Sequence, residues 1–260
     1  MVNVKPEVLI RYHQNELQDA IKEVLLMSDD EVLEAYGDGD DVSLEGVYSK
    51  PGRLRCSRDL NFMDGCVRKT MIHTMNIVIP SPFSKQTRVT FARGTGVHEA
   101  VQKLWVKYGL IPEEDIEVPF KQELPAIGEG WRLSGTLDGI FTAKDDTGEE
   151  ERIVIELKTT ACRPQSLPLS YHHGQVTAYM EFTSAPRTWV YYIHKGFGKD
   201  SALMGSMFAF EFKRNRQDQE RLLEHLREIK EIAQGTKPMP KPMEIKECKW
   251  CEFREYCYGK

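Results

Sequence analysis

The chain has 260 residues, enough for one domain with a substantial core plus an extension. Its longest apolar stretches fall far short of the roughly 18 to 20 residues of a bilayer span, and the N-terminus mixes charge throughout without an apolar signal core, so a soluble cytoplasmic protein with no membrane partner is expected. A net charge of -5 argues against a surface coated for nonspecific nucleic-acid binding, although a local basic groove around an acidic centre is compatible with that sum.

Over residues 5 to 27 the apolar positions Val8, Leu9, Tyr12, Leu17, Ile21, Val24 and Leu25 recur near helical spacing, and Ser28-Asp29-Asp30 punctuates the chain before a second charged stretch. Two helices are expected there. Residues 36 to 53, rich in Gly, Asp and Ser with Pro51-Gly52 near the end, read as a loop. From Gly94 to Tyr108 the residues Val97, Val101, Leu104, Trp105 and Tyr108 recur at three and four, which places His98 near the start of a helix that follows a glycine-rich turn. Strand-like runs around Ile116 to Phe120, Trp131 to Ala143 and Arg152 to Lys158 form a β-meander, with Asp145-Asp146-Thr147-Gly148 as the last hairpin turn. A helix from about Pro168 to Phe182, strands at Thr188 to His194 and Met207 to Phe212, and a helix from about Asn215 to Gln234 complete an α/β order. Gly235 to Met243 holds three prolines in nine residues and reads as an extended linker to a cysteine-rich tail.

The chemistry concentrates on the meander. Ser134-Gly135-Thr136-Leu137-Asp138-Gly139 ends one strand with a carboxylate, and Ile153-Val154-Ile155-Glu156-Leu157-Lys158 runs apolar into a second carboxylate two residues before a lysine. Because strand side chains alternate faces, Glu156 and Lys158 point one way and Leu157 into the core, so a neighbouring Asp138 completes a site on the first face. Two carboxylates, a backbone carbonyl and waters make the hard oxygen environment that Mg²⁺ or Mn²⁺ prefers, and Lys158 can orient or deprotonate a water or stabilise growing phosphoryl charge. Phosphodiester hydrolysis is the reaction this set suits. An acid with E-x-K is common by chance as a cross-strand ion pair, and it gains meaning from its company. Gly94-Thr95-Gly96-Val97-His98 precedes it, and a helix follows on which Gln175 and Tyr179 share a face at i and i+4.

In this ordered set the sequence resembles the RecB-like branch of the PD-(D/E)xK nucleases, in particular the CRISPR-associated adaptation exonucleases and their phage and AddB-type relatives, over roughly Ser57 to Cys257. The G-x-x-x-H motif lands on Gly94 and His98, the motif aspartate on Asp138, E-x-K on Glu156 and Lys158, and Q-x-x-x-Y on Gln175 and Tyr179. The resemblance implies a restriction-endonuclease-like α/β core, a central mixed β-sheet flanked by helices, spanning 54–235. It implies an N-terminal helical and acidic extension over 1–53 and an iron-sulfur knuckle over 236–260 that packs back on the N-terminal region. It further implies that His98, Asp138, Glu156 and the Leu157 carbonyl bind Mg²⁺ or Mn²⁺, that Lys158 is catalytic, and that Gln175 and Tyr179 support the lysine or contact the DNA backbone.

Six cysteines in a chain this long are too few for a disulfide scaffold, and three of them fall in the last 13 residues, which suits metal ligation in a reducing compartment. Cys248, Cys251 and Cys257 are spaced C-x2-C-x5-C, three thiolates that leave a four-coordinate site one short. Ligand chemistry alone favours structural zinc, whereas the resemblance implies a [4Fe-4S] cluster with a fourth cysteine upstream of the histidine motif. Ser57, Leu60, Phe62, Cys66 and Arg68 fit the family's order there, so Cys66 is the expected ligand and Cys56 its rival. Cys162 reads as a small, partly buried thiol. Trp250, Phe253 and Tyr256 read first as the apolar shell of the knuckle, with base stacking as the alternative.

The implied substrate is DNA, as single strands or free ends, with protein partners in DNA processing. Arg53, Arg55, Arg58, Arg68, Lys69 and Arg93 are candidates for an electropositive channel, with a solvated surface as the plain alternative. The acidic stretch 29 to 41 is either a partner contact or a solvated face. A nuclease fold that has lost catalysis would normally lack an acid or the lysine, and here all are present; a zinc-stabilised binding module would be colourless and inactive.

Overall fold

The computed structural model describes residues 4–11, 13–37, 53–55, 66–75, 77, 84–125, 129–144, 147–196, 198–242, 248, 251 and 253–259. Six strands form one mixed sheet: β1 (Arg53–Arg55), β2 (Ile116–Glu123), β3 (Arg132–Lys144), β4 (Glu150–Thr160), β5 (Arg187–His194) and β6 (Met207–Lys213). The meander is present, since β2 and β4 both run antiparallel to β3. Beyond it, β4 and β5 pair in parallel through the intervening helix, β6 returns antiparallel to β5, and β1 lies parallel to Arg132–Ser134 of β3.

Strand alternation sorts β4 and β5 onto two helical layers. Ile153, Ile155, Leu157, Trp189, Tyr191 and Ile193 face α2 (Gln14–Leu26), α3 (Asp29–Tyr36) and α5 (Lys85–Lys107), where they meet Ile21, Val24, Val97, Val101 and Trp105. On the other face Val154 belongs to a core with Met71 of α4 (Val67–Thr74), Ala178 and Tyr179 of α6 (His173–Thr183), and Leu222, Leu226 and Ile229 of α7 (Arg216–Ala233). The arrangement is the expected α/β sandwich of helices around a mixed sheet.

The helix that carries His98 differs from expectation. It starts at Lys85, capped by Ser84 Oγ accepting from the Thr87 amide at 3.2 Å, so His98 lies mid-helix and no turn precedes it. Gly96 serves packing instead, whereas a Cβ on Gly94 would make only an ordinary contact with Thr159 at 3.8 Å. A Cβ on Gly96 would stand 2.7 Å from the Tyr36 ring and 2.8 Å from Val24, so the missing side chain is what lets α2 and α3 approach α5. Asp29, Asp30 and Glu31 are accounted for in the same place, and Glu34 is exposed. Ser28 and Glu31 form a capping box on α3, while Asp29 binds Arg93 and Asp30 binds Lys85, both on α5.

Other boundaries moved for local reasons. The first expected helix is divided into α1 (Val8–Arg11) and α2, with His13 before α2 stacked on Tyr108 at 3.4 Å between ring centroids. The chain reaches α6 through 3₁₀ turns at Pro164–Ser166 and Ser170–His172, so the helix begins at His173 rather than near Pro168. Most of the 36–53 loop, residues 145 and 146 of the hairpin turn, Cys56 and Trp250 lie outside the described residues. At the far end of the sheet the buried Arg187 guanidinium donates to Glu151, Glu211 and the Val4 carbonyl, fastening the N-terminus across β4, β5 and β6. Among the described residues no helix is long and apolar enough to cross a membrane.

Candidate active site at the strand fork

Backbone pairing between β3 and β4 ends at Gly139 opposite Ile155, and the next residue on each strand is Asp138 and Glu156. The strands part there. The Leu157 amide donates to Asp138 Oδ2 at 2.5 Å, so the aspartate side chain bridges the opening to β4. From α5, His98 brings Nδ1 to 3.5 Å of Asp138 Oδ1. One turn on, Gln102 is buried and its Nε2 donates to the Asp138 carbonyl at 2.9 Å and to Glu117 Oε1 at 2.6 Å. The fork thus collects groups from both helical layers.

Glu156 and Lys158 share the α6 face of β4, as alternation required. Lys158 Nζ pairs with Glu156 Oε1 and donates to Gln175 Oε1 at 3.0 Å. Gln175 Nε2 donates to Glu156 Oε1 at 2.8 Å and to the Tyr179 hydroxyl at 2.5 Å, and that hydroxyl donates to the Thr136 carbonyl on β3 at 3.3 Å. Gln175 and Tyr179 are each 1% exposed and turned inward, so their geometry serves the lysine and the two strands. Leu157 is in the core, leaving only its backbone to the site.

Electrostatics follow from burial and crowding. Burial raises the Glu156 carboxyl to about 7, Asp138 adds to the rise, and Lys158 offsets part of it. For Asp138 burial also opposes charge, but His98, Lys158 and the Leu157 amide outweigh it and hold the carboxyl below its ordinary value. Burial disfavours the His98 imidazolium, yet Asp138 prevails and raises that group. Glu156 Oε2 is buried without a hydrogen-bond partner among the described residues. Those residues contain no closed set of three His, Cys, Asp or Glu ligands, since Glu156 Oε1 is turned to Lys158 and Gln175 and Asp138 Oδ2 to the Leu157 amide.

The C-terminal tail meets α4. Arg68, two residues after Cys66, donates to the Pro240 carbonyl at 2.9 Å and lies over the Tyr256 ring at 5.6 Å, next to Cys257. Cys248 is buried, and successive turns from Cys248 to Cys251, Cys251 to Arg254 and Phe253 to Cys257 fold the tail around the buried Phe253. No described cysteine is in a disulfide, and Cys162 is half-buried after β4, as expected. Phe253 is buried, whereas Tyr256 is exposed and engaged by Arg68.

Two arginines proposed for a channel have other partners. Arg68 holds the tail, and Arg93 donates to the Met27 carbonyl and Asp29 Oδ1 at 2.7 and 2.9 Å. Side chains of Arg53 and Arg55, and all of Arg58, lie outside the described residues. Three residues at the site were not singled out from sequence: Gln102, Glu117 and His172. Gln102 was findable, four residues after His98 on one helical face. Glu117 carries no sequence signal; it sits at φ 50°, a left-handed conformation at the second residue of β2, where burial raises its carboxyl and Gln102 holds it.

A sequence model of the PD-(D/E)XK nuclease superfamily matches residues 84–258, and the chain belongs to that superfamily. Among solved structures it is similar to SSO0001, at 18% identity and a TM-score of 0.55, over 90% of this chain and 98% of that one, a likeness of fold. It is also similar to LHK-Exo in complex with dAMP, at 12% identity and a TM-score of 0.47, over 71% of this chain and 89% of that one. LHK-Exo is an alkaline exonuclease from Laribacter hongkongensis. A phage related exonuclease from Haemophilus somnus 129PT matches at 11% identity and a TM-score of 0.42, over 84% and 93% of the two chains. No curated protein matches the chain in sequence.

Proposed function

We propose that this member of the PD-(D/E)XK nuclease superfamily is a Mg²⁺- or Mn²⁺-dependent deoxyribonuclease, an exonuclease on single strands or free ends with some endonuclease capacity. The observation that supports it best is the fork itself, where Asp138 stands beside Glu156 on two parted strands and one buried glutamine holds Glu156 and Lys158 together. His98, Asp138, Glu156 and the Leu157 carbonyl would hold the ion. The fit rests on donor chemistry and on the buried, unpartnered Glu156 Oε2, whose desolvated lone pairs a cation would satisfy. When bound, such an ion polarises the phosphodiester and lowers the pKa of water.

The remaining work falls to the chain. Gln175 fixes the Lys158 ammonium beside the carboxylates, where it orients the attacking water and stabilises charge growing on the phosphoryl oxygens. The Leu157 amide and Gln102 fix both ends of Asp138, so its carboxylate does not reorient during the reaction. We read residues 54–235 as the nuclease core, 1–53 as the helical extension and 236–260 as the tail, acting in the cytoplasm in DNA processing, repair, recombination or CRISPR adaptation.

We also read Cys66, Cys248, Cys251 and Cys257 as ligands of a structural [4Fe-4S] cluster, with zinc as the alternative metal. The contacts of Arg68 with Pro240 and Tyr256 support a tail held at Cys66. Anaerobic purification should yield a brown protein, and zinc in a colourless one would refute the cluster. Full cluster occupancy in Cys66→Ser would transfer the fourth ligand to Cys56. Cleavage is tested on single strands labelled separately at the 5′ and 3′ ends and on circular strands. Progressive shortening from one end, with slow circle cleavage, is expected; no metal-dependent cleavage of any of them would refute the proposed activity.

A further inference from the structure

His172 is a buried imidazole that the proposed chemistry leaves unused, and its surroundings define its chemistry. It immediately precedes α6 but its side chain caps no helix amide, and it lies three residues before Gln175, on the same side. Tyr192 on β5 is in register with Lys158 on β4, and its ring stacks on His172 at 5.5 Å. Lys158, Gln175, Tyr192 and His172 therefore form one layer between the sheet and α6.

Tyr192 sets the protons in that layer. Its hydroxyl oxygen accepts from the Leu169 amide at 3.1 Å, and among the described residues the acceptor within reach of its single proton is His172 Nδ1 at 2.7 Å. A nitrogen that accepts carries no proton, so the imidazole proton sits on Nε2. Burial, then the Lys158 ammonium, oppose a second proton and take the imidazole down to about 3. Among the described residues Nε2 has no hydrogen-bond partner, and the exposed Tyr171 ring stands edge-on beside it at 4.4 Å.

A neutral N–H next to an ammonium is best matched by an anionic oxygen, which satisfies both donors at once. Arg68 and Arg93 are committed to the tail and to α3, and phosphate oxygens accept from uncharged donors as well as from cations. We propose that His172 is a substrate-contacting residue whose Nε2–H donates to a backbone phosphate oxygen of the DNA held next to Lys158. This role rests on the nuclease reading above.

The test uses the full chain, a labelled oligothymidylate and Ca²⁺ in place of Mg²⁺, so that affinity is read without turnover. His172→Phe keeps the ring packing and should lose about tenfold in affinity with an unchanged melting temperature. His172→Gln, which keeps an N–H of similar reach, should retain most of it. Nitrogen-15 spectra of the wild type should show the Nε2–H tautomer, and Tyr192→Phe should mix the tautomers and weaken binding. Wild-type affinity in a folded His172→Phe, or an Nδ1–H tautomer in the wild type, would overturn the proposal. If His172→Phe does not fold, the wild-type spectrum and the Tyr192→Phe affinity decide. A wild type that cleaves DNA while His172→Phe binds normally refutes this role alone; a wild type that never cleaves refutes the nuclease reading and this role with it.

Discussion

Replacing Glu156 by glutamine should abolish cleavage and at the same time stabilise the metal-free protein. The Glu156 carboxyl is 3% exposed, and burial lifts it from the ordinary 4.5 to about 7. A carboxyl raised in the folded state contributes stability that is complete below the unfolded value and is lost as pH climbs through the folded one. At about 1.4 kcal/mol per pH unit, that loss reaches at most about 3.5 kcal/mol by pH 8 for a rise from 4.5 to about 7. An amide in place of the carboxyl avoids it and still accepts from Gln175, and the attraction to Lys158 is already contained in the value of about 7; the amide N–H that replaces the unpartnered Oε2 is buried without an acceptor, which returns part of the gain. A net gain of about 1–2 kcal/mol remains, or roughly 2–6 °C in Tm for a chain of this size. Calorimetry in EDTA at pH 5 and pH 8 should show Glu156→Gln level with wild type at the lower pH and above it at the higher. In saturating Mn²⁺ the wild type should gain stability and the variant little. A variant less stable than wild type at pH 8 in EDTA would refute the electrostatic reasoning.

Three further outcomes follow from the same structure. Gly96→Ala places a Cβ against Tyr36 and Val24 and should cost about 1–3 kcal/mol by chemical denaturation, with activity retained in the folded fraction. Arg187→Met leaves Glu151 and Glu211 without their shared cation in a buried place and should cost about 3–5 kcal/mol while the single-turnover rate stays near wild type. Gln102→Leu frees the Asp138 carbonyl and the helix that carries His98, and should raise the Mn²⁺ concentration for half-maximal rate about 10- to 100-fold with DNA affinity in Ca²⁺ unchanged.

Much of the site was legible because its signals are local. E-x-K on a strand fixes by alternation that Glu156 and Lys158 share a face, and Gln175 with Tyr179 shares a helical one; the structure joins the two pairs. Events of tertiary packing were not legible. Gly94 and Gly96 look like a turn in sequence, and only the approach of Tyr36 and Val24 reveals a helix made thin for its neighbours. The parting of β3 and β4 at Gly139 is a matter of register, invisible until both strands are paired. His172 gains its character from Tyr192, twenty residues away on β5.

Single-turnover cleavage of an end-labelled single strand, in Mn²⁺ and in EDTA, tests the central claim most directly when run on wild type, Asp138→Asn and Lys158→Ala. Cleavage by the wild type in Mn²⁺ only, with a loss of about 10²-fold or more in both variants while their folds and DNA affinities persist, is the predicted result. Wild-type rates in either variant would contradict the assignment of the fork as the active site.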